Sequence, residues 1–451
     1  MNGEFSLYQL RCVMDKNNKK LWQQKGIWLL SLAVFFYLTY NAANYLTIWR
    51  AKTEIIPHIM FQWEHKIPLI PWTIIPYWTE NLFYGLAILL AINSKQLKTL
   101  GKRLFATQII CVLGFLLFPL QQINVINRPE VQGFFGWWFD SLMKFDHPYN
   151  QAPSLHIALL VVLWTFYTER FSKKWHWLIS LWSLFIGASV LTTWQHHFID
   201  IPAGMLAGAL AIWIFPNHIQ SPLYVPKLAK NWKWLGVYFT LSIILTMVAI
   251  VNKHAWLWLL YPAFSLFIVA CNYGFFGKKG FPKQKNGNYS LSQWILFLPY
   301  ILIAKINAKI WTRKNNPYDK VLPNLFLGSI PNAKNAHQFK SLVDCCAEIP
   351  FNGHKAMNYY PNYLLDMTPL SLDECEHAAN TINKAIRNGD TLVFCALGYS
   401  RSAASLVAYL VVYRNYSVNQ AIKQLKKARK DIVLNKEQIK ILRRLTWKYP
   451  Y

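Results

Sequence analysis

The sequence predicts a polytopic α-helical membrane domain of about eight or nine helices followed by a soluble α/β domain. Three observations predict it. Apolar blocks long enough to cross a bilayer recur as far as about residue 305. Much of the excess positive charge sits in the short loops between those blocks. Beyond residue 315, strand-like runs alternate with helical ones, as in an ordinary soluble domain.

The chain has 451 residues, enough for two or three domains. Hydrophobic residues make up 54% and charged residues 15%, a balance unusual for a soluble protein of this size. The first 25 residues are polar and basic, with Arg11, Lys16, Lys19, Lys20 and Lys25. The block 26–48 that follows is too long for a signal-peptide core and reads as a retained signal anchor. Further blocks run over 67–92, 104–122, 155–170, 176–194, 198–215, 235–252 and 256–274. In the second, Pro68, Pro71 and Pro76 break the first half. A ninth block, 292–306, is short, holds Pro299 and runs into Lys305, Lys309, Arg313 and Lys314. Its lysine spacing favours a helix lying in the interface over one that spans.

The formal charge is +27. Because the lysines and arginines cluster in loops (94–103, 169–174, 227–233 and 278–285), the charge marks a cytoplasmic face and not a nucleic-acid footprint. If eight blocks span, those loops share one side with the N-terminus. The other side receives 49–65, 123–154 and Thr193–Phe198. The seven cysteines have neither disulfide-like nor zinc-like spacing, which suits a reducing compartment. No metal and no cofactor are expected.

In the last part, Leu322–Leu327 and Thr391–Phe394 read as strands. Glu374–Asn388, Ser402–Tyr413, Val418–Lys430 and Lys436–Trp447 read as helices, and Thr312–Pro317 as the linker. The strand Leu392-Val393-Phe394 runs straight into Cys395, and Arg401 follows at the start of a helix with Gly398 between them. Consecutive N–H groups of such a loop, with a helix N-terminus, make an anion cradle. The same field favours a thiolate. Arg401 can grip two phosphate oxygens through its planar fork. Attack by Cys395 would give a phosphocysteine, and Ser402 could donate a hydrogen bond to the departing sulfur.

These residues resemble the dual-specificity phosphatases. Leu322-Pro323-Asn324-Leu325-Phe326-Leu327-Gly328-Ser329 is similar to their opening strand, and Cys395–Ser402 to their signature loop. The resemblance covers roughly residues 318–447 and implies a general-acid aspartate upstream of the cysteine. Asp366 fits that position; the competitor, Asp373, lies in a segment that reads as a helix start. One departure is Phe394, where the family usually has His before the cysteine.

A second constellation lies in the membrane part. Asn127-Arg128-Pro129, Pro153-Ser154-Leu155-His156 and Gln195-His196-His197-Phe198-Ile199-Asp200 fall on one side by the loop argument. His196 and Asp200 are four apart, so on a helix they share a face. Two histidines, an arginine and an aspartate at one membrane depth are costly unless functional, and they suit phosphoryl transfer. These pieces resemble the type 2 phosphatidic acid phosphatase superfamily, and most of all its Pro-Ser-x-His branch with the inositol phosphorylceramide synthases. The resemblance, over about residues 75–215, implies His196 as nucleophile, Asp200 as its orienting partner and His156 as general acid. Arg128 and Ser154 would contact phosphate, with Gly398 and Arg401 doing so at the cysteine site. Gln121 and Val190 stand where the family has Lys and Arg.

The expected layout is a basic cytoplasmic N-terminus (1–25), a membrane phosphatase or phosphotransferase-like domain (26–220), additional membrane and interfacial helices (221–311) and a dual-specificity-phosphatase-like domain (315–451). The expected function is hydrolysis of phosphate esters of phospholipids at a bacterial-type inner membrane, with the C-terminal domain in the cytoplasm. The alternative is a membrane-anchored protein tyrosine or serine/threonine phosphatase whose membrane part is only a lipid-binding anchor. The basic run Lys423, Lys426, Lys427, Arg429, Lys430, Lys440, Arg443 and Arg444 would draw the domain to an anionic membrane surface. Ala396, Leu397 and Tyr399 add no cation to the loop, which disfavours highly charged headgroups.

Overall fold

The computed structural model describes residues 2–126, 128–144, 146–217, 219–225, 228–351 and 358–448, without the side chains of 2–17, 126 and 447. The chain divides into two units, Met1–Ser221 and Pro222–Tyr451. Among the described residues, six helices are long and apolar enough to cross a membrane: Asn18–Arg50, Ser94–Leu117, Lys173–Thr192, Trp232–Asn252, His254–Gly280 and Leu291–Thr312.

That is fewer than the eight or nine expected, for local reasons. In the block 67–92, Pro71 opens a 3-10 turn and the α-helix begins only at Ile74, ending at Leu89 after 16 residues. The blocks 155–170 and 198–215 form Leu155–Arg170 and Asp200–Ile214, of 16 and 15 residues. At about 1.5 Å per residue such helices reach about 24 Å, short of a hydrocarbon core of about 30 Å. The ninth block departs in the other direction. It extends to the 22-residue helix Leu291–Thr312, with Pro299 inside.

In the first unit, glycines set where the polar residues meet. Gly204 and Gly208, on the helix Asp200–Ile214, press against the backbone of Ser154 and Ala158 and the side chains of Ile157 and Val161. A Cβ at either position would collide with backbone, so only glycine permits this approach. Ser154 caps its helix by accepting from the N–H of Ile157 at 3.4 Å. Its own N–H donates to the carbonyl of Asp200 at 3.2 Å. The start of one helix is thereby bonded to the start of the other.

The second unit contains a five-stranded sheet in the order β1-β2-β5-β3-β4. Its strands are β1 (Tyr318–Leu322), β2 (Leu325–Ser329), β3 (Ser341–Cys346), β4 (Asn358–Leu364) and β5 (Thr391–Cys395). Only β1 runs antiparallel to its neighbour. The expected strand Leu322–Leu327 is split: Leu322 ends β1, Pro323 and Asn324 (φ 59) form the turn, and Leu325–Leu327 open β2. Central β5 is buried throughout, as a parallel strand covered on both faces must be. The helix Arg401–Arg414 follows it and is buried from Arg401 to Val411. Phe394 and Cys395 point to opposite faces of β5. Phe394 fills an apolar cluster with Phe339, Leu342 and Phe351, its ring 5.3 Å from that of Phe351. An apolar residue at this position is therefore part of the packing beneath the loop.

Candidate active site

The loop after β5 is built around a sulfur. The N–H of Gly398 donates to Cys395 Sγ at 3.3 Å, and Ser402 Oγ donates to it at 3.2 Å. Gly398 adopts φ +77, and a Cβ there would meet the backbone of Gly328 and Ser329. Glycine is required on both counts. The loop is braced from outside by Arg429, whose Nη2 donates to Leu397 O at 3.2 Å and whose Nη1 pairs with Asp319 at 2.7 Å.

Arg401 is buried and anchored by groups from two other segments. Its Nη1 donates to Glu348 Oε2 at 2.6 Å and to Leu364 O at 3.0 Å. Its Nε lies 3.2 Å from Asp366 Oδ1. Burial alone would weaken the guanidinium's charge, but Asp366, Glu348 and the thiols of Cys346 and Cys395 outweigh it and raise its pKa well above the ordinary value. Arg401 is thus a fixed cation at the mouth of the loop. Asp366 is the exposed member, with 41% of its side chain accessible, as a group that exchanges protons with substrate and water must be. Its backbone N–H donates to Glu348 Oε1. Glu348 therefore holds both the Arg401 guanidinium and the backbone of the candidate acid.

Asp373 lies in the first turn of the helix Leu372–Ile386, which Ser371 caps in a reciprocal box with Glu374. No such link ties it to Arg401 among the described contacts. Cys345 and Cys346 are buried, and burial pushes Cys345 up to about 12 and raises Cys346 too. Neither receives the pair of donors that converge on Cys395. Asp366→Asn is expected to slow hydrolysis of a phosphomonoester by about a hundredfold or more, the usual scale for a lost general acid. Steady-state rates of the full-length protein on phenyl phosphate check this.

In the first unit, His196 Nδ1 lies 3.2 Å from Asp200 Oδ2, which also accepts from the N–H of His197 at 3.0 Å. The carboxylate engages Nδ1 and leaves Nε2 as the reactive nitrogen. The rings of His156 and His196 are 6.5 Å apart. His156 stacks on Tyr77 at 4.1 Å and its Nε2 is 3.2 Å from Glu80 Oε2. The carbonyl of Val190 accepts from the N–H groups of Gln195 and His196, so this residue supports the histidine through its backbone. Arg128 lies over the ring of Phe139 at 4.5 Å and within electrostatic reach of Tyr77. The described contacts link it to the histidines only through that tyrosine. Asn127 lies outside the described residues. His197 pairs with buried Glu64 at 3.5 Å and reads as a structural anchor.

Glu348, Glu80 and Glu64 are absent from the sequence reading. Glu80 carried a usable signal, being a carboxylate inside an apolar block. Glu348 carried none. Among the described residues no group of three or more His, Cys, Asp or Glu side chains could hold a metal ion.

Residues 325–447 match the family described as dual specificity phosphatase, catalytic domain. Tyrosine-protein phosphatase MSG5 of Saccharomyces cerevisiae is 30% identical over 150 residues, which are 30% of this chain and 29% of that protein. Dual specificity protein phosphatase 26 of Rattus norvegicus is 27% identical over 147 residues, 28% of this chain and 68% of that protein. Among solved structures, human DUSP28 aligns at 28% identity and a TM-score of 0.27, covering 29% of this chain and 93% of that one. This chain thus spans less than a third of the yeast relative's length.

Proposed function

We propose, proceeding from the dual-specificity phosphatase catalytic domain that residues 325–447 form, that this chain is a membrane-bound phosphatase acting on phosphomonoesters of phospholipids. Cys395 Sγ attacks phosphorus while Arg401 and the loop N–H groups hold the oxygens. Asp366 protonates the leaving alcohol oxygen. It then takes a proton from the water that cleaves the phosphocysteine, and Ser402 donates to the sulfur as it departs. A second phosphoryl-transfer site in the membrane part uses His196 as nucleophile, oriented by Asp200, and His156 as acid. Arg128 and Ser154 bind phosphate there. That part resembles the type 2 phosphatidic acid phosphatases.

The observation that carries the lipid reading is that the phosphatase domain and three long apolar helices, Trp232–Asn252, His254–Gly280 and Leu291–Thr312, belong to one compact unit. A phosphate loop held on membrane helices meets headgroups at high effective concentration. The names of the relatives favour a second reading, a membrane-anchored protein phosphatase. A substrate panel on the purified full-length protein separates the two: phosphatidic acid, phosphatidylglycerophosphate, inositol phospholipids and phosphopeptides. Hydrolysis of phosphopeptides with no lipid turned over would sink the first reading.

The setting we propose is a bacterial-type inner membrane with the phosphatase domain in the cytoplasm. What supports it is that the domain is bonded to two of the basic segments expected on that side. Asn231 Nδ2 donates to Met367 O at 3.2 Å, and Lys278 pairs with Glu374 at 2.7 Å. Both ends of Leu291–Thr312 also meet the domain: Tyr289, beside its N-cap, donates to Glu348 O, and Tyr399 donates to Trp311 O. A helix bonded at both ends to one globular domain lies along it. Its exposed Leu302, Ile303, Ile306 and Ile310 suit a helix lying in the interface. A reporter fused after Tyr451 is expected to be active only if it is a cytoplasmic type. Signal from a periplasm-only reporter would reverse the placement.

A further inference from the structure

The segment between the second unit's helices reaches into the domain that carries Cys395. Lys283 has no exposed side-chain surface. Its Nζ donates to Asp344 Oδ2 at 2.8 Å and to the carbonyl of Cys346 at 2.5 Å. Asp344 is equally buried, accepts from Tyr359 Oη at 2.6 Å and, through Oδ1, from the N–H of Cys346 at 2.8 Å. Tyr289, also buried, donates its hydroxyl to the carbonyls of Ala347 and Glu348 at 3.2 and 2.9 Å. The N–H of Phe351 donates to Gly287 O at 2.9 Å. Every one of these bonds lands on the chain between 344 and 351, which leads β3 out of the sheet and carries Glu348.

A buried ammonium is expensive unless its partners are fixed. Glu348 transmits that fixity. One carboxylate oxygen takes Arg401 Nη1 and the other takes the N–H of Asp366. We infer that Lys283 and Tyr289 are positioning residues of the phosphatase: they hold the 344–348 backbone so that Glu348 aligns Arg401 with the phosphate and Asp366 with the leaving oxygen. The helical segment is then part of the catalytic apparatus in addition to any anchoring role. This rests on the phosphatase reading proposed above.

The test uses full-length protein with Lys283→Met and Tyr289→Phe. Rates are measured on phenyl phosphate, whose leaving oxygen needs a proton, and on p-nitrophenyl phosphate, whose leaving group needs it less. Misplacing Asp366 and Arg401 should lower kcat on phenyl phosphate by between about tenfold and a hundredfold, with a smaller loss on p-nitrophenyl phosphate. Tyr289→Phe removes one hydroxyl and keeps the ring, so it guards against a Lys283→Met protein that does not fold. Unchanged rates in both variants would overturn the inference. So would equal fractional losses on the two substrates that follow the loss of folded protein seen in thermal unfolding. Wild-type protein inactive on both substrates would overturn the phosphatase reading itself.

Discussion

Full-length protein carrying Cys395→Ser is expected to lose the phosphatase activity of the C-terminal domain, a fall of roughly 10⁴-fold or more, the scale on which removing a catalytic nucleophile acts. The reason is ionisation. A thiol titrates near pH 8.5 in an ordinary setting and lower beside cations and oriented N–H groups, whereas a serine hydroxyl does not ionise in that range. The Gly398 N–H and the Ser402 hydroxyl both aim at Sγ. With serine in place the same donors face a neutral hydroxyl. The substitution is nearly isosteric at a buried position, so thermal unfolding should move little. Hydrolysis of p-nitrophenyl phosphate at the wild-type rate by this variant would refute the cysteine mechanism.

The parts of this site that could be read from sequence are those the chain keeps contiguous. Strand, loop and helix follow one another from Leu392 to Ser402, so Cys395, Gly398, Arg401 and Ser402 announce themselves together. Asp366 was legible only by its spacing from Cys395. The structure supplies a physical distinction from Asp373, since Asp366 lies 3.2 Å from Arg401 Nε and Asp373 belongs to a capped helix start. Glu348 was not legible, because its partners are 53 and 18 positions away in sequence. Strand β3 escaped notice for a similar reason. Its Asp344 looks like a break in an apolar run, and the lysine that satisfies it lies 61 positions upstream. Span counting failed where hydropathy alone was trusted. Prolines shorten one helix, and the tight glycine contact at Gly204 and Gly208 joins two helices of only 16 and 15 residues.

The second large effect concerns the histidines. In protein already carrying Cys395→Ser, His196→Ala is expected to remove whatever lipid phosphatase or phosphotransferase activity remains, and His156→Ala to do the same. His196 is held in place from three sides. Asp200 engages Nδ1, the Val190 carbonyl fixes its backbone, and the helix bearing Asp200 is bonded to the one that begins at Ser154. His156 faces a different partner, Glu80, whose Oε2 lies 3.2 Å from its Nε2. Glu80 is buried on the helix Ile74–Leu89, where a polar side chain is costly without a neighbour to face. The measurement is release or transfer of phosphate from radiolabelled phosphatidic acid in mixed micelles. Loss in both variants, with unchanged thermal unfolding, supports imidazole chemistry at this site. If the Cys395→Ser protein turns over no lipid in the panel, the histidines are structural, and the membrane part serves the cysteine phosphatase as an anchor.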